Sequence, residues 1–324
     1  MKSYVKALVG IGVMIGTSCN YSVDYSPVEI KRLDLALYDY NEMNDSIKVN
    51  IETKMDAGIS TLNIMLNFGH PDDSAFVKYM QSDAVKMFTP KVKESFSDLD
   101  DLEGLLGGIK YNLSKELPQI KMGEVYSIVS PYRQSIYMAD STILLALNHY
   151  LGAGHEAYNG FDEYVKQTKE PKYIPYDVVE TMISTNYPYE SKGDVTILNM
   201  MLYQGAIVEA KMRIVPDAEL CSALGYNEEQ LNWLEANQEQ AWEALVSKEL
   251  LYSTSYMDSN RLFSPSLTTS IIHSDAPGRI GRYFGYKIIS SYLKKNSKLS
   301  LEQMLSSEFY NSSQILIESG YNGK

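Results

Sequence analysis

Residues 194–213 constrain the fold more than any other stretch. Val195, Ile197, Leu198, Met200, Met201, Leu202, Ala206, Ile207, Val208 and Ala210 would cover most of the circumference of a helix. A helix that is apolar nearly all round belongs in an interior, so the rest of the chain has to wrap around it. Its polar residues Asn199, Tyr203 and Gln204 fall near one stripe. Two readings stand for that stripe: neighbouring backbone satisfies it, or it faces an internal pocket.

The chain has the material to do the wrapping. It has 324 residues, of which 44% are hydrophobic, enough for one large domain or two modest ones. Apolar positions at helical spacing begin with Ile51, Met55, Ile59, Leu62 and Leu66 and return in Leu102, Leu105, Leu106, Ile109 and Leu113. Residues 29–120 therefore read as mostly helix, with a break and recap at Pro71-Asp72-Asp73-Ser74. From Lys121 the pattern alternates, through Val125, Ser127, Val129, Ile136 and Met138, and the short run Ile143 to Leu147 ends at the Gly152/Gly154 loop. These segments predict a small sheet between about 122 and 148. Helices are expected again over roughly 175–185, 194–214, 227–249 and 278–295. The expected class is α+β, predominantly helical, with 29–120 and 121–324 packed as one unit.

The N-terminus sets the address. Lys2 and Lys6 precede a run of about a dozen mostly apolar residues, then Gly16-Thr17-Ser18 and Cys19. That order is a secretory signal, and the run is shorter than the roughly 20 residues a spanning helix needs. The cysteine directly after the small residues makes it a lipoprotein signal, with cleavage before Cys19 and acyl chains on the mature N-terminus. Residues 1–18 are then a signal peptide, 19–28 a polar tether containing Pro27, and 29–324 the body. Loss of Lys2 and Lys6 leaves 27 basic against 41 acidic residues, a net charge of −14. Such a surface repels nucleic acid and anionic headgroups. Lipid, not charge, is expected to hold the protein at a membrane.

The familiar catalytic signatures do not form. Cys221 is the single thiol besides Cys19, so neither an internal disulfide nor a cysteine zinc cluster is available. It reads as a buried small hydrophobe. His155-Glu156-Ala157-Tyr158-Asn159 starts like HExxH but ends in Asn159, so the second ligand one turn on is missing. His70 and His273 read as solvated loop residues. There is no GxSxG elbow, P-loop or dinucleotide fingerprint. The 26 tyrosines suit either half-buried packing or a binding groove.

Several segments in series resemble the gliding-motility lipoprotein GldB family of the Bacteroidetes. They are Ile143 to Gly152 with its closing Tyr150-Leu151-Gly152, Tyr173-Ile174-Pro175 before Asp177-Val178-Val179, and Tyr203-Gln204-Gly205-Ala206 through Pro216-Asp217. Gly225-Tyr226, Gln230 to Trp233, Trp242 and Leu250 to Thr254 continue the series. Pro277-Gly278-Arg279-Ile280-Gly281 with Gly285-Tyr286-Lys287-Ile288-Ile289 closes it most strongly. The resemblance runs from about 122 to 310. It implies an envelope lipoprotein working through protein partners in gliding or in related secretion processes, without a cofactor and without catalysis.

The family is in turn distantly similar in layout to gluzincin-type zinc metallopeptidases. On that mapping Glu180 would hold the base position, Val179 and Ile183 would replace the two histidines, and Gln204-Gly205 would replace the third ligand. Aliphatic side chains and an amide cannot ligate zinc. The resemblance thus implies a degenerate zincin-like architecture with a vestigial cleft of Glu180, Asn199, Tyr203, Gln204, Arg279 and Tyr286. Arg279 has two readings, an ion pair or an anion contact in the cleft. Competing readings are a divergent hydrolase using Glu180 or His149/His155, and a surface lipoprotein that captures a peptide or glycan in a tyrosine-lined groove. Asn20 to Asp24 offers one acid after Cys19, late, which favours a periplasm-facing position. No feature fixes an oligomeric state or names a partner.

Overall fold

The computed structural model describes residues 25–38, 40–67, 73–131 and 134–324. The lipoprotein signal, Cys19, His70 and Pro71 lie outside them. Six helices come first: α1 (Leu33–Tyr38), α2 (Asp45–Lys54), α3 (Asp56–Asn67), α4 (Asp73–Met80), α5 (Asp83–Ser95) and α6 (Asp100–Glu116). A sheet of four short strands follows in space: β1 (Ile30–Lys31), β2 (Val125–Ile128), β3 (Ile136–Ala139) and β4 (Thr142–Ala146). The second half is α7 (Glu163–Lys166), α8 (Ile174–Asn186), α9 (Ile197–Ile214), α10 (Leu220–Leu224), α11 (Glu228–Ala236), α12 (Gln238–Ser247) and α13 (Tyr256–Phe263). It ends with α14 (Ile280–Lys295), α15 (Leu301–Met304), α16 (Ser307–Tyr310) and α17 (Gln314–Ser319). The protein is α+β and mostly helical.

The sheet order is β1-β2-β4-β3, parallel except for the β3–β4 hairpin. Asp140 turns that hairpin at φ +52°, a left-handed conformation that aspartate tolerates. β2 and β4 are buried along nearly their whole length, as expected of inner parallel strands covered on both faces. β1 was not legible, since residues 29–120 read as mostly helix. Its two residues pair with Val125 and Tyr126, and the Ile30 amide donates to Glu103 Oε1 at 2.8 Å. Both contacts come from distant sequence, which no local pattern encodes.

Helix α9 is the axis of the second half. Thirteen of its 18 residues are buried, because α6, α8, α10, α13, α14, α15 and α16 all pack on it. Thr196 and Asn199 close its N-terminus as a capping box, and Pro216 follows its end. The closest crossing is with α14. A Cβ on Gly205 would sit 2.3 Å from Gly285 C, and one on Gly285 would sit 1.8 Å from Met201 O. The two backbones touch there, so only glycine fits. The expected single helix over 227–249 is two, α11 and α12. Asn237 leaves helical geometry at φ −113° and bonds Trp233 O with its own side chain, the local competition asparagine offers a helix. One continuous core joins both halves of the body, from Val28 to Tyr321. Cys221 is a correction: it is half-exposed, with Sγ beside Ser222 Oγ and Glu219 Oε2.

Candidate functional site: a charged cavity between three helices

A cavity of about 340 Å³ opens between α8, α10 and the start of α14. Five charged side chains line it: Asp177 and Glu180 from α8, Lys211 from α9, and Arg279 and Arg282 from α14. The i,i+3 spacing puts the α8 pair on one helix face, whereas Arg282 lies in the first turn of α14 and Arg279 is its left-handed N-cap. Hydroxyls of Ser135, Thr168, Tyr173, Thr181 and Ser222 complete the wall.

Glu180 is the hub. Arg282 donates to both of its oxygens, one at 3.2 Å, and Lys211 Nζ donates to Oε2. Lys211 is 3% exposed and also donates to Ala223 O at 3.1 Å. Two ligands for one buried ammonium explain how a charge survives on an otherwise apolar helix. Burial alone would raise the Glu180 carboxyl. The Arg282 and Lys211 charges and their hydrogen bonds override it and hold it well below the usual carboxylate range. Asp177 differs: burial pushes its carboxyl up against the Lys211 charge, and Tyr150 Oη donates to it at 2.8 Å.

Arg279 has another arrangement again. It sits at φ +61°, ahead of the first turn of α14. Its Nη2 donates to Gly225 O at 3.0 Å, and among the described residues it forms no ion pair. Gly225 makes the room, since a Cβ there would lie 2.6 Å from Nη2. The strained backbone is pinned from behind by Tyr226, whose Oη donates to Gly278 O at 2.8 Å.

The six residues expected in the cleft thus divide. Glu180 and Arg279 line the cavity together. Asn199, Tyr203, Gln204 and Tyr286 do not. Asn199 is spent on the α9 cap and on Tyr310 O, to which Nδ2 donates at 3.1 Å. Tyr203 Oη donates to Tyr187 O at 2.8 Å, and its ring packs with Tyr189 and Tyr310 at 5.3 and 5.2 Å. Gln204 is half-buried, its buried Oε1 unbonded among the described residues, and Tyr286 packs half-buried against the core. Their stripe belongs to the other end of α9, because the helix carries its cavity-facing side chain at Lys211, two turns on from Tyr203 and Gln204. Lys211, Arg282 and Asp177 were missed. The available signal was a lysine inside an apolar helix, together with acidic and basic pairs each three apart.

The histidines take separate roles. His149 is buried, with Nδ1 3.2 Å from both Ser135 Oγ and Lys169 Nζ. His155 caps a short 3-10 turn over Glu156–Tyr158 and accepts from the Ala157 amide at 3.1 Å, so the HExxH-like segment forms no α-helix. His273 is exposed, its ring 5.5 Å from that of Trp233. Among the described residues no three His, Cys, Asp or Glu side chains gather as metal ligands would.

The family model described as gliding motility protein GldB matches residues 18–323. The chain belongs to the GldB family. No curated protein and no solved structure matches it. Membership in the GldB family implies a part in gliding motility and lipid anchoring at a membrane. No helix among the described residues is long and apolar enough to cross a membrane. The match covers nearly the whole chain, the helical first part included, and so extends well beyond the 122–310 stretch that carries the resemblance by eye.

Proposed function

We propose that this GldB-family chain is a non-catalytic envelope lipoprotein, held by acyl chains on Cys19, facing the periplasm, and acting in gliding by engaging protein partners. The observation that carries the non-catalytic reading is the state of Glu180. A general base needs a pKa near the working pH and a free lone pair. Glu180 lacks the first and has little of the second, because two cations take three of its lone-pair sites and depress its basicity. A peptidase-like ancestry draws support from Glu180 on α8 facing α9, with Val179 and Ile183 buried beside it. Gln204, which that ancestry would place in the same cleft, lies off the cavity and gives it none.

Crosslinking in cells of the native organism tests the reading. Discrete partner species are expected with the wild-type chain and should fade in Cys19→Ala, which loses the tether. Purified protein that hydrolyses a peptide or ester, and loses the activity in Glu180→Gln, would overturn it.

A further inference from the structure

The charge inventory of the cavity does not balance. Among the described lining residues, Lys211, Arg279 and Arg282 face Asp177 and Glu180, which leaves one positive charge when both carboxyls are ionised. The surplus has an address. Glu180 is fully engaged by Lys211 and Arg282, while Arg279 has one backbone acceptor and no carboxylate. A buried guanidinium with no carboxylate bonded to it is costly. This one is also held in place by a strained backbone and by the glycine that makes room for it. Strain of that kind persists where surrounding structure fixes it, and it collects at ligand sites.

We propose that the cavity binds one carboxylate group, taken in by the Arg279 fork. A planar two-oxygen anion matches the parallel N–H donors of a guanidinium. The lining residue Thr181 offers a further hydroxyl, and the first turn of α14, a 16-residue helix, favours negative charge at its N-terminus. A monoanion cancels the surplus. A phosphate dianion would overshoot it and press a second charge against Asp177 and Glu180. The volume of about 340 Å³ sits at the small end of the ligand-pocket range, enough for a chain end or a compact acid. The carboxylate has two sources, the C-terminus of a peptide or a small free acid. This goes beyond the partner-engaging role and does not depend on it.

The test uses the full chain purified in detergent, titrated with N-acetyl-Ala-Ala, with its C-terminal amide, with butyrate and with inorganic phosphate. Saturation-transfer NMR and calorimetry give the readout. The free carboxylates are expected to bind at least about tenfold tighter than the amide, a factor a charge-assisted pair readily supplies. Arg279→Asn, which tolerates the positive φ, should abolish that preference while leaving the unfolding midpoint near wild type. Arg279→Lys, which keeps the charge and loses the fork, should fall between. Tighter binding of the dipeptide assigns the site to chain ends, and tighter binding of butyrate assigns it to small acids. Equal affinity for acid and amide, preference for phosphate, or an Arg279→Asn protein that binds like wild type would each overturn the proposal. None of these outcomes alters the crosslinking result, so the two readings fail separately.

Discussion

The two halves of α9 carry polar side chains in the same apolar helix and do opposite things with them. In the first half, Asn199 and Tyr203 are closed off: each bonds nearby backbone, and Tyr189, Tyr203 and Tyr310 fill the adjoining space with their own rings. In the second half, Lys211 joins four other charges around an open cavity. Gly205 marks the border, where α14 crosses backbone to backbone. Satisfied polar groups rigidify a core; a charge cluster with one unspent cation leaves something for a ligand to complete. Mutations that treat the halves differently test that contrast.

Glu180→Gln should have the largest effect. It leaves Lys211 and Arg282 buried without their anion, at a cost of about 3–5 kcal/mol, read as a drop in the urea midpoint. Adding Lys211→Met should recover part of that loss, since it removes one of the two buried cations left without an anion and returns the cavity to its wild-type net charge. The pH dependence follows from the same pairing. The folded carboxyl lies below its ordinary value of 4.5, so its contribution is complete above about that pH and erodes as pH falls toward the depressed value. Wild type should lose stability on acidification below pH 4.5 more steeply than the double variant. Parallel curves would contradict the ion-pair account.

The border comes next. Gly285→Ala drives a methyl into Met201 O and should cost about 3 kcal/mol, at the upper end for overpacking. Thermal unfolding should register it as one cooperative loss, because both halves share the crossing. Separate transitions for the two halves would break the picture of one packed axis. In the closed half, Asn199→Ala should cost about 1–2 kcal/mol through loss of the return arm of the capping box to the Thr196 amide and an orphaned Tyr310 carbonyl. Tyr203→Phe should cost about 1 kcal/mol, one buried hydrogen bond. Neither should change carboxylate binding. Arg279→Asn in the open half should do the reverse, leaving stability within about 1 kcal/mol and removing binding.

The sequence disclosed the frame better than the site. Helix α9 was legible because an apolar circumference has one explanation, burial, and β2 to β4 because alternation and turn residues agree with each other. Strand β1 was hidden since pairing to Val125 is tertiary. The polar stripe on α9 was visible, yet its direction was not. Periodicity says which residues share a face and is silent about which neighbour that face meets. Glu180 and Arg279 emerged through the family resemblance, whereas Lys211 and Arg282 belong to no motif. Their burial depends on Glu180 arriving from another helix, and such compensation becomes visible only when the three helices meet.

The central claim is that Glu180 is a structural anion in a GldB-family lipoprotein and carries no reaction. Replacing the chromosomal gene with Glu180→Gln/Lys211→Met and scoring surface spreading of the native organism tests it most directly. Spreading at wild-type rate, with normal protein levels, is the expected result. A folded, normally abundant double variant that cannot spread would show that the carboxylate itself is needed, and would contradict the account.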